Sequence, residues 1–323
     1  MSLINRLLKA NPSAQVSDML TGYFVIPSAK GAFYPFDRGI FAGGGFPVVN
    51  NIEYISISTT GNTQDFGDLT QAREALAACS SSTRGIFGGG YTSSAQNTID
   101  YMTIATTGNA IDFGDLNLTG YYLGSCSSST RGIFAGFSGG SVNNIDYITI
   151  ATTGNATDFG DLTSIGYYIS GCSSTTRGVF GGRNEYPTDK NVIDYVTIAT
   201  TGNAIDFGDM SSAGSGYGSC SSSTRGIFGG GYRPGGRTTT IEYITIASTG
   251  NTTSFGNLTE SRGETAACSN SVRGVFGGGS LSGGNSNVME YITIATTGNA
   301  TDFGDLSGNR IGASSCSDGH GGL

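Results

Sequence analysis

Hydrophobic and polar positions alternate along this chain in short bursts that return with a long period. In Ile99-Asp-Tyr-Met-Thr-Ile-Ala and again in Ile145-Asp-Tyr-Ile-Thr-Ile-Ala, β-branched and aromatic residues recur with period two, the pattern of a half-buried strand. Each such stretch is accompanied by three other short segments: small residues around a cysteine, Arg-Gly-Ile/Val-Phe running into glycines, and Asp-Phe-Gly-Asp-Leu or a variant of it. Arg-Gly-Ile/Val-Phe begins at Arg38, Arg84, Arg131, Arg177, Arg225 and Arg273, at intervals of 46, 47, 46, 48 and 48 residues. The cysteines Cys79, Cys126, Cys172, Cys220, Cys268 and Cys316 fall one per repeat at equivalent positions. Each unit therefore predicts four short strands. The first two are joined by a Ser/Thr-rich link and the last two by Thr-Gly-Asn or a close variant, turn chemistry that pairs neighbours as antiparallel hairpins.

Six four-stranded units of this length predict an all-β, six-bladed β-propeller, because radial closure leaves only short protected edges. A solenoid and two stacked sandwiches are the competing folds. Repeat phase favours the propeller: the first complete copy opens at Arg38 on a second strand, while the chain finishes with an unpaired first-strand copy, Gly312-Ala-Ser-Ser-Cys316. Phe33 occupies the position matching a cysteine before Arg38 and is followed by Pro35, a poor central-strand residue. The C-terminal strand is thus expected to complete the first blade. Residue size fits, since Ala, Ser, Gly and Cys suit a crowded axis while Phe66, Phe113, Phe159 and the second-strand phenylalanines suit wider gaps between blades.

A small strand, a hydrophobic strand ending in Gly-Gly, an aromatic strand and an aromatic-containing fourth strand resemble kelch-type repeats over residues 36 to 317. The chain departs from that pattern in lacking Trp, in the twelve-residue step from Tyr54 to Phe66 and in Ala135-Gly136 for the third glycine pair. The tandem Thr-Thr-Gly-Asn-Ala and Asp-Phe-Gly-Asp-Leu copies are also similar to propeller proteins of tailed bacteriophages, especially aquatic ones. That resemblance implies a virion component made in the host cytoplasm.

Composition narrows the function classes. A net charge of -8 with 16 Lys and Arg spread over the repeats argues against nucleic acid, which needs clustered cations. No apolar run approaches a membrane span, and the N-terminal MSLINRLLKANP lacks a signal-peptide core, so secretion by a classical signal and membrane insertion are not expected. The sequons at Asn117, Asn155, Asn251, Asn257 and Asn299 then read as plain polar turn residues.

Candidate chemistry mostly dissolves into the repeat. The cysteines lack the C-x2-4-C spacing of a thiolate metal site, and equivalent positions on neighbouring blades suit a disulfide poorly. They are expected to be reduced, buried, small hydrophobes. Asp-Phe-Gly recurs without a catalytic His-Arg-Asp loop, so a kinase reading fails. The six repeat arginines are expected to approach the first Asp of Asp-Phe-Gly-Asp or its turn carbonyls as a repeated ion pair; Ser254-Phe-Gly-Asn257 tests this by lacking both acids. Calcium on those carboxylates is the minor alternative; no cofactor is expected. The lone His320 stands in a Gly-rich tail, residues 318–323, expected to be mobile. Neither a Ser-His-Asp triad nor a multi-histidine zinc site is then available.

Variation among copies points to a surface. The first-to-second and third-to-fourth turns are nearly uniform, whereas the other two sets of connections differ; strand alternation brings the two variable sets to one face. Loops on a rigid scaffold commonly carry recognition, and Tyr121, Tyr122, Tyr167, Tyr168, Tyr186, Tyr232 and Arg233 are the expected contact residues. Residues 1–35 lie outside the repeat. There Leu3–Leu8 predicts a helical turn or two and Tyr23–Ile26 an extended strand, together an arm suited to tethering the disc to another virion protein. The expected function is a non-catalytic interaction module in a phage tail, fibre or capsid decoration, offering its loop face to a host-surface glycan or protein. A carbohydrate-active enzyme at the axis and a decoration without a receptor are the alternatives.

Overall fold

Six sheets, each built on four antiparallel strands, form the six blades of a β-propeller in the computed structural model, which describes residues 37–138 and 142–323. Among the described residues there is no helix. The arm expected in residues 1–35 lies outside the described residues. The first blade orders Ser314–Ser317, Arg38–Ala42, Asn51–Ser56 and Gln64–Asp68 from the axis outward, so the C-terminal strand does complete it. The second blade, Ala77–Ser80, Arg84–Gly88, Gln96–Thr103 and Ile111–Gly120, is continuous in sequence, as are the four that follow. The fifth blade adds Tyr232–Arg233 alongside its third strand, and the sixth carries a small hairpin of Ser280–Leu281 and Gly284–Asn285.

The ring is closed by three repeated sets of hydrogen bonds that cross from blade to blade. At the axis, the serine after each cysteine donates its hydroxyl to the carbonyl of its counterpart in the preceding blade, from Ser80 Oγ on Ser317 O round to Ser317 Oγ on Ser269 O, at 2.6–2.8 Å. At the rim, the Asn of each Thr-Gly-Asn turn accepts the N–H at the end of the preceding blade's outer strand, as Asn109 Oδ1 does from Asp68 at 3.1 Å and Asn62 Oδ1 from Asp305 at 3.0 Å. Between these, each repeat arginine donates to an isoleucine carbonyl of the following blade, Arg38 to Ile104 through Arg273 to Ile57, at 2.7–3.1 Å. Its guanidinium also lies over the tyrosine of its own blade, 4.1–4.6 Å from the ring centroid, a cation–π contact.

The arginine geometry corrects the expected ion pair. None of these six guanidinium groups pairs with the acids of Asp-Phe-Gly-Asp among the described residues. The partner is a backbone carbonyl, so Arg225 keeps its bond in the copy lacking acids, donating to Ile294 O at 3.0 Å. Asp-Phe-Gly itself is packing. Phe66 and its equivalents are buried between blades, and Gly67, at φ 149°, sits where a Cβ would come within 2.5 Å of the backbone of Gly108 in the next blade's turn.

The core divides into clusters that each join two blades: Ile40, Ile52 and Phe66 of the first blade pack with Phe87, Met102 and Ile104 of the second. All six cysteines are free and buried, and burial pushes their thiols up, that of Cys172 to about 12. Each Sγ rests on the glycine of Arg-Gly in the following blade, Cys79 on Gly132 and Cys126 on Gly178. That contact explains why a small thiol and a glycine recur together.

The tail expected to be mobile instead enters the axis. His320 Nε2 lies 3.2 Å from both Ser127 Oγ and Ser80 O, and Gly321 donates to Ser221 O at 3.0 Å. Asp318 meets Arg38 backbone to backbone and accepts its N–H at 2.9 Å. This reproduces without a covalent link the turn in which Ser81 Oγ accepts from Arg84 N at 3.1 Å.

Candidate functional site

Strand alternation sorts the connections onto two faces. The uniform turns, Asp37, Asp318 and the C-terminal tail lie on one, which we call the turn face; the copy-specific loops lie on the other, the loop face. The loop face is organised by the links that run inward from each outer strand to the next inner strand. Each link places one residue in the left-handed region: Ala75, Tyr122, Tyr168, Gly216, Glu264 and Gly312, at φ 55–64°. Four of these carry a side chain that disfavours this conformation. A ring of backbone bonds holds it: each N–H donates to the carbonyl of the preceding member, from Tyr122 on Ala75 O at 2.7 Å round to Ala75 on Gly312 O at 2.7 Å.

Because the six members differ in size, the mouth of the axis is lopsided. Tyr122 and Tyr168 stack with ring centroids 3.6 Å apart, and Tyr232 meets Tyr168 edge-on at 6.4 Å. Glu264 accepts the Tyr122 hydroxyl at 2.9 Å and the Tyr232 hydroxyl at 2.7 Å. Burial first, and then the Glu264 charge, raise both phenols, Tyr232 to about 12 and Tyr122 further. Both therefore remain donors at neutral pH. Gly216 and Gly312 flank Glu264 in the ring and, without side chains, leave a cavity of about 80 Å³. Below it the channel continues between small inner-strand residues, with a cavity of about 110 Å³ and then one of about 50 Å³ bordered by the six cysteines and His320.

The expected contact residues separate into groups. Tyr121, Tyr122, Tyr167, Tyr168 and Tyr232 come together in one aromatic chain, joined by Tyr91, which stands 5.1 Å from Tyr121. Tyr91 was not among the expected residues, although it opens a variable loop. Tyr186 stands apart at the tip of the hairpin formed by Arg177–Glu185 and Thr188–Thr197, 84% exposed. Arg233 turns inward, 2.9 Å from the carboxylate of Glu242, with little side-chain exposure; it offers the loop face no free guanidinium.

Glu242 belongs to a second set of polar groups that sequence reasoning missed. The residue before Tyr in each third strand, preceded by Ile or, in the sixth, by Met289, is an acid and is buried: Glu53, Asp100, Asp146, Asp194, Glu242 and Glu290. Five take an arginine, Arg310, Arg73, Arg183, Arg233 and Arg262 respectively, omitting Asp146. These arginines come from two unrelated chain positions, an inward link or the loop after the second strand, so repeat alignment hides them. In the third blade Phe137 stands where the next blade has Arg183. Asp146 there is held by the backbone N–H and side-chain amide of Asn117, at 2.9 and 2.8 Å, and burial raises its pKa.

Among the described residues no cluster of three or more His, Cys, Asp and Glu is arranged to hold a metal ion, and no helix is long and apolar enough to cross a membrane. No protein-family model and no curated protein matches the chain.

Proposed function

We propose that this propeller is a non-catalytic interaction module of a phage virion, tethered through residues 1–35 on its turn face and presenting its loop face to a host-surface glycan or protein. The observation that carries the reading is the division of labour between the faces. The chain enters the first blade at Asp37 on the turn face, where the side chain of Val272 is 57% exposed. Among the described residues, the copy-specific loops and the aromatic chain lie on the opposite face. Kelch-like ancestry for the repeat belongs to the same proposal.

A rigid disc suits recognition because the blades fix the loops in place, so binding orders few additional side chains. Exposed tyrosine supplies contact area at low entropic cost. The test is a glycan array and adsorption to host cells with the purified chain, repeated with Tyr186→Ala and Tyr91→Ala together. Loss of binding in the double variant supports recognition. Presence in purified virions without binding to any glycan or cell would instead make the chain a structural decoration, and turnover of an arrayed glycan would make it an enzyme.

A further inference from the structure

We propose that the axial mouth on the loop face is a binding site for a primary alkylammonium group, seated against Glu264 beside the stacked rings of Tyr122 and Tyr168. The proposal rests on the reading of the loop face as a recognition surface and gives that surface a ligand chemistry.

Charge is the first argument. The buried third-strand acids are each neutralised by an arginine or held by an asparagine, but Glu264 receives only two tyrosine hydroxyls. Among the described residues, no Lys or Arg nitrogen lies within salt-bridge distance of it. Glu74 precedes Ala75 on its link and does not border the cavity, but burial first and then the Glu264 charge raise its pKa. A carboxylate with no cationic partner repels an anion and attracts a cation.

Shape is the second argument. The ring of left-handed residues puts Gly216 and Gly312 on either side of Glu264, with the tyrosine stack facing it, and the resulting cavity of about 80 Å³ is bordered by all of them. That is room for an ammonium head and its first methylenes. Aromatic faces complete the site, because the ring quadrupole attracts a cation held over the face. A primary ammonium also has the N–H donors to reach the remaining lone pairs of Glu264, which a quaternary head lacks. The two tyrosine hydroxyls hold the carboxylate in place before the ligand arrives, so little order is lost on binding.

Two sources share this chemistry, a free amine and the tip of a lysine side chain. The experiment titrates the full chain with n-propylammonium in one arm and N-acetyl-lysinamide in the other, at constant ionic strength, following tyrosine side-chain NMR shifts. n-Propanol is the neutral control. Saturable binding of an ammonium ligand, weakened at least tenfold in Glu264→Gln and not matched by propanol, supports the site; the tighter arm identifies the source. Glu264→Gln keeps an oxygen for one tyrosine hydroxyl and turns an amide N–H toward the oxygen of the other, and an unchanged melting temperature verifies its fold. No saturation in the tens of millimolar, or equal binding by Glu264→Gln, overturns the proposal. If loop variants still abolish cell adsorption after that result, recognition stands and only its ligand chemistry at the axis is wrong.

Discussion

Substituting Gly132 by Ala tests the contact that sets blade spacing. A Cβ there would lie 2.5 Å from Cys79 Sγ and 3.2 Å from Ile148 Cγ1, against an ordinary separation of about 3.5–4.0 Å. Relief therefore requires the thiol to move by roughly 1 Å. It has little freedom to do so: Cys79 is buried, and the next residue is pinned by Ser80 Oγ on Ser317 O at 2.7 Å and Ser127 Oγ on Ser80 O at 2.8 Å. Overpacking of this kind costs about 1–3 kcal/mol, and the lower unfolded-state entropy of Ala offsets about 0.5–1 kcal/mol of it, leaving a net loss of about 1–2 kcal/mol. Cys79→Ala alone removes one buried atom and costs about 1 kcal/mol. In the double variant the methyl introduced by Gly132→Ala occupies the space the sulfur left, so the two losses should cancel in part, with a coupling energy of at least about 1 kcal/mol. Urea unfolding of the four proteins measures the cycle. A Gly132→Ala variant as stable as the parent, or a double variant whose loss equals the sum of the singles, would refute the reasoning.

Four further outcomes follow from the polar framework. Asp100→Asn strands the fully buried Arg73, now 2.7 Å from its carboxylate, and should cost about 3 kcal/mol. Asp146→Asn, where no arginine waits, should cost under about 1 kcal/mol. Since burial raises the Asp146 pKa in the folded state, its contribution favours stability at low pH and is lost as pH rises, and the Asn variant should lack that dependence in urea melts. The lone histidine gives a pH signature in the opposite sense: enclosure by the axial ring depresses His320 to about 4, so its stabilisation is complete above about 6.5 and is lost as pH falls through about 4. Its ring NMR shifts should titrate near 4, and a midpoint near 6.5 would place the tail in solvent. Asp318, pushed up to about 6 chiefly by burial, contributes below its ordinary range and loses that contribution as pH rises through about 6. Asp318→Ala removes the acceptor for Arg38 N–H and should destabilise ring closure by about 1 kcal/mol, read as earlier proteolysis of the first blade.

What could be read from the sequence was what repeats on a fixed period. Period-two stretches, turn residues and the orphan strand ending at Cys316 specify blades, their order and their closure, because those features are local or follow from phase alone. The role of Arg84 was half legible. Its position at the turn end of a strand was correct, yet its partner, Ile150 O at 3.0 Å, is a backbone atom in another blade and leaves no residue-type signal. The buried acids carried a signal in hindsight, a charge before Tyr in an otherwise apolar strand. Their arginines did not, since Arg73 and Arg183 reach equivalent acids from non-equivalent positions. At the candidate site, tyrosine in variable loops was visible, but the stack of Tyr122 on Tyr168 and its meeting with Glu264 depend on the backbone ring, which brings together residues 142 positions apart. The plugging tail illustrates the same limit: six glycine-rich residues look mobile until the channel that receives them is assembled.

On the proposed function, the turn face docks and the loop face stays free to recognise a partner. Single cysteines introduced as Val272→Cys on the turn face and Tyr186→Cys on the loop face can be labelled selectively with a maleimide, because the native thiols are all buried. Labelling rates in the free chain and in intact virions then decide the matter. Assembly should protect position 272 and leave position 186 reactive until host cells are added. Protection of position 186 on assembly, with position 272 still reactive, would contradict it.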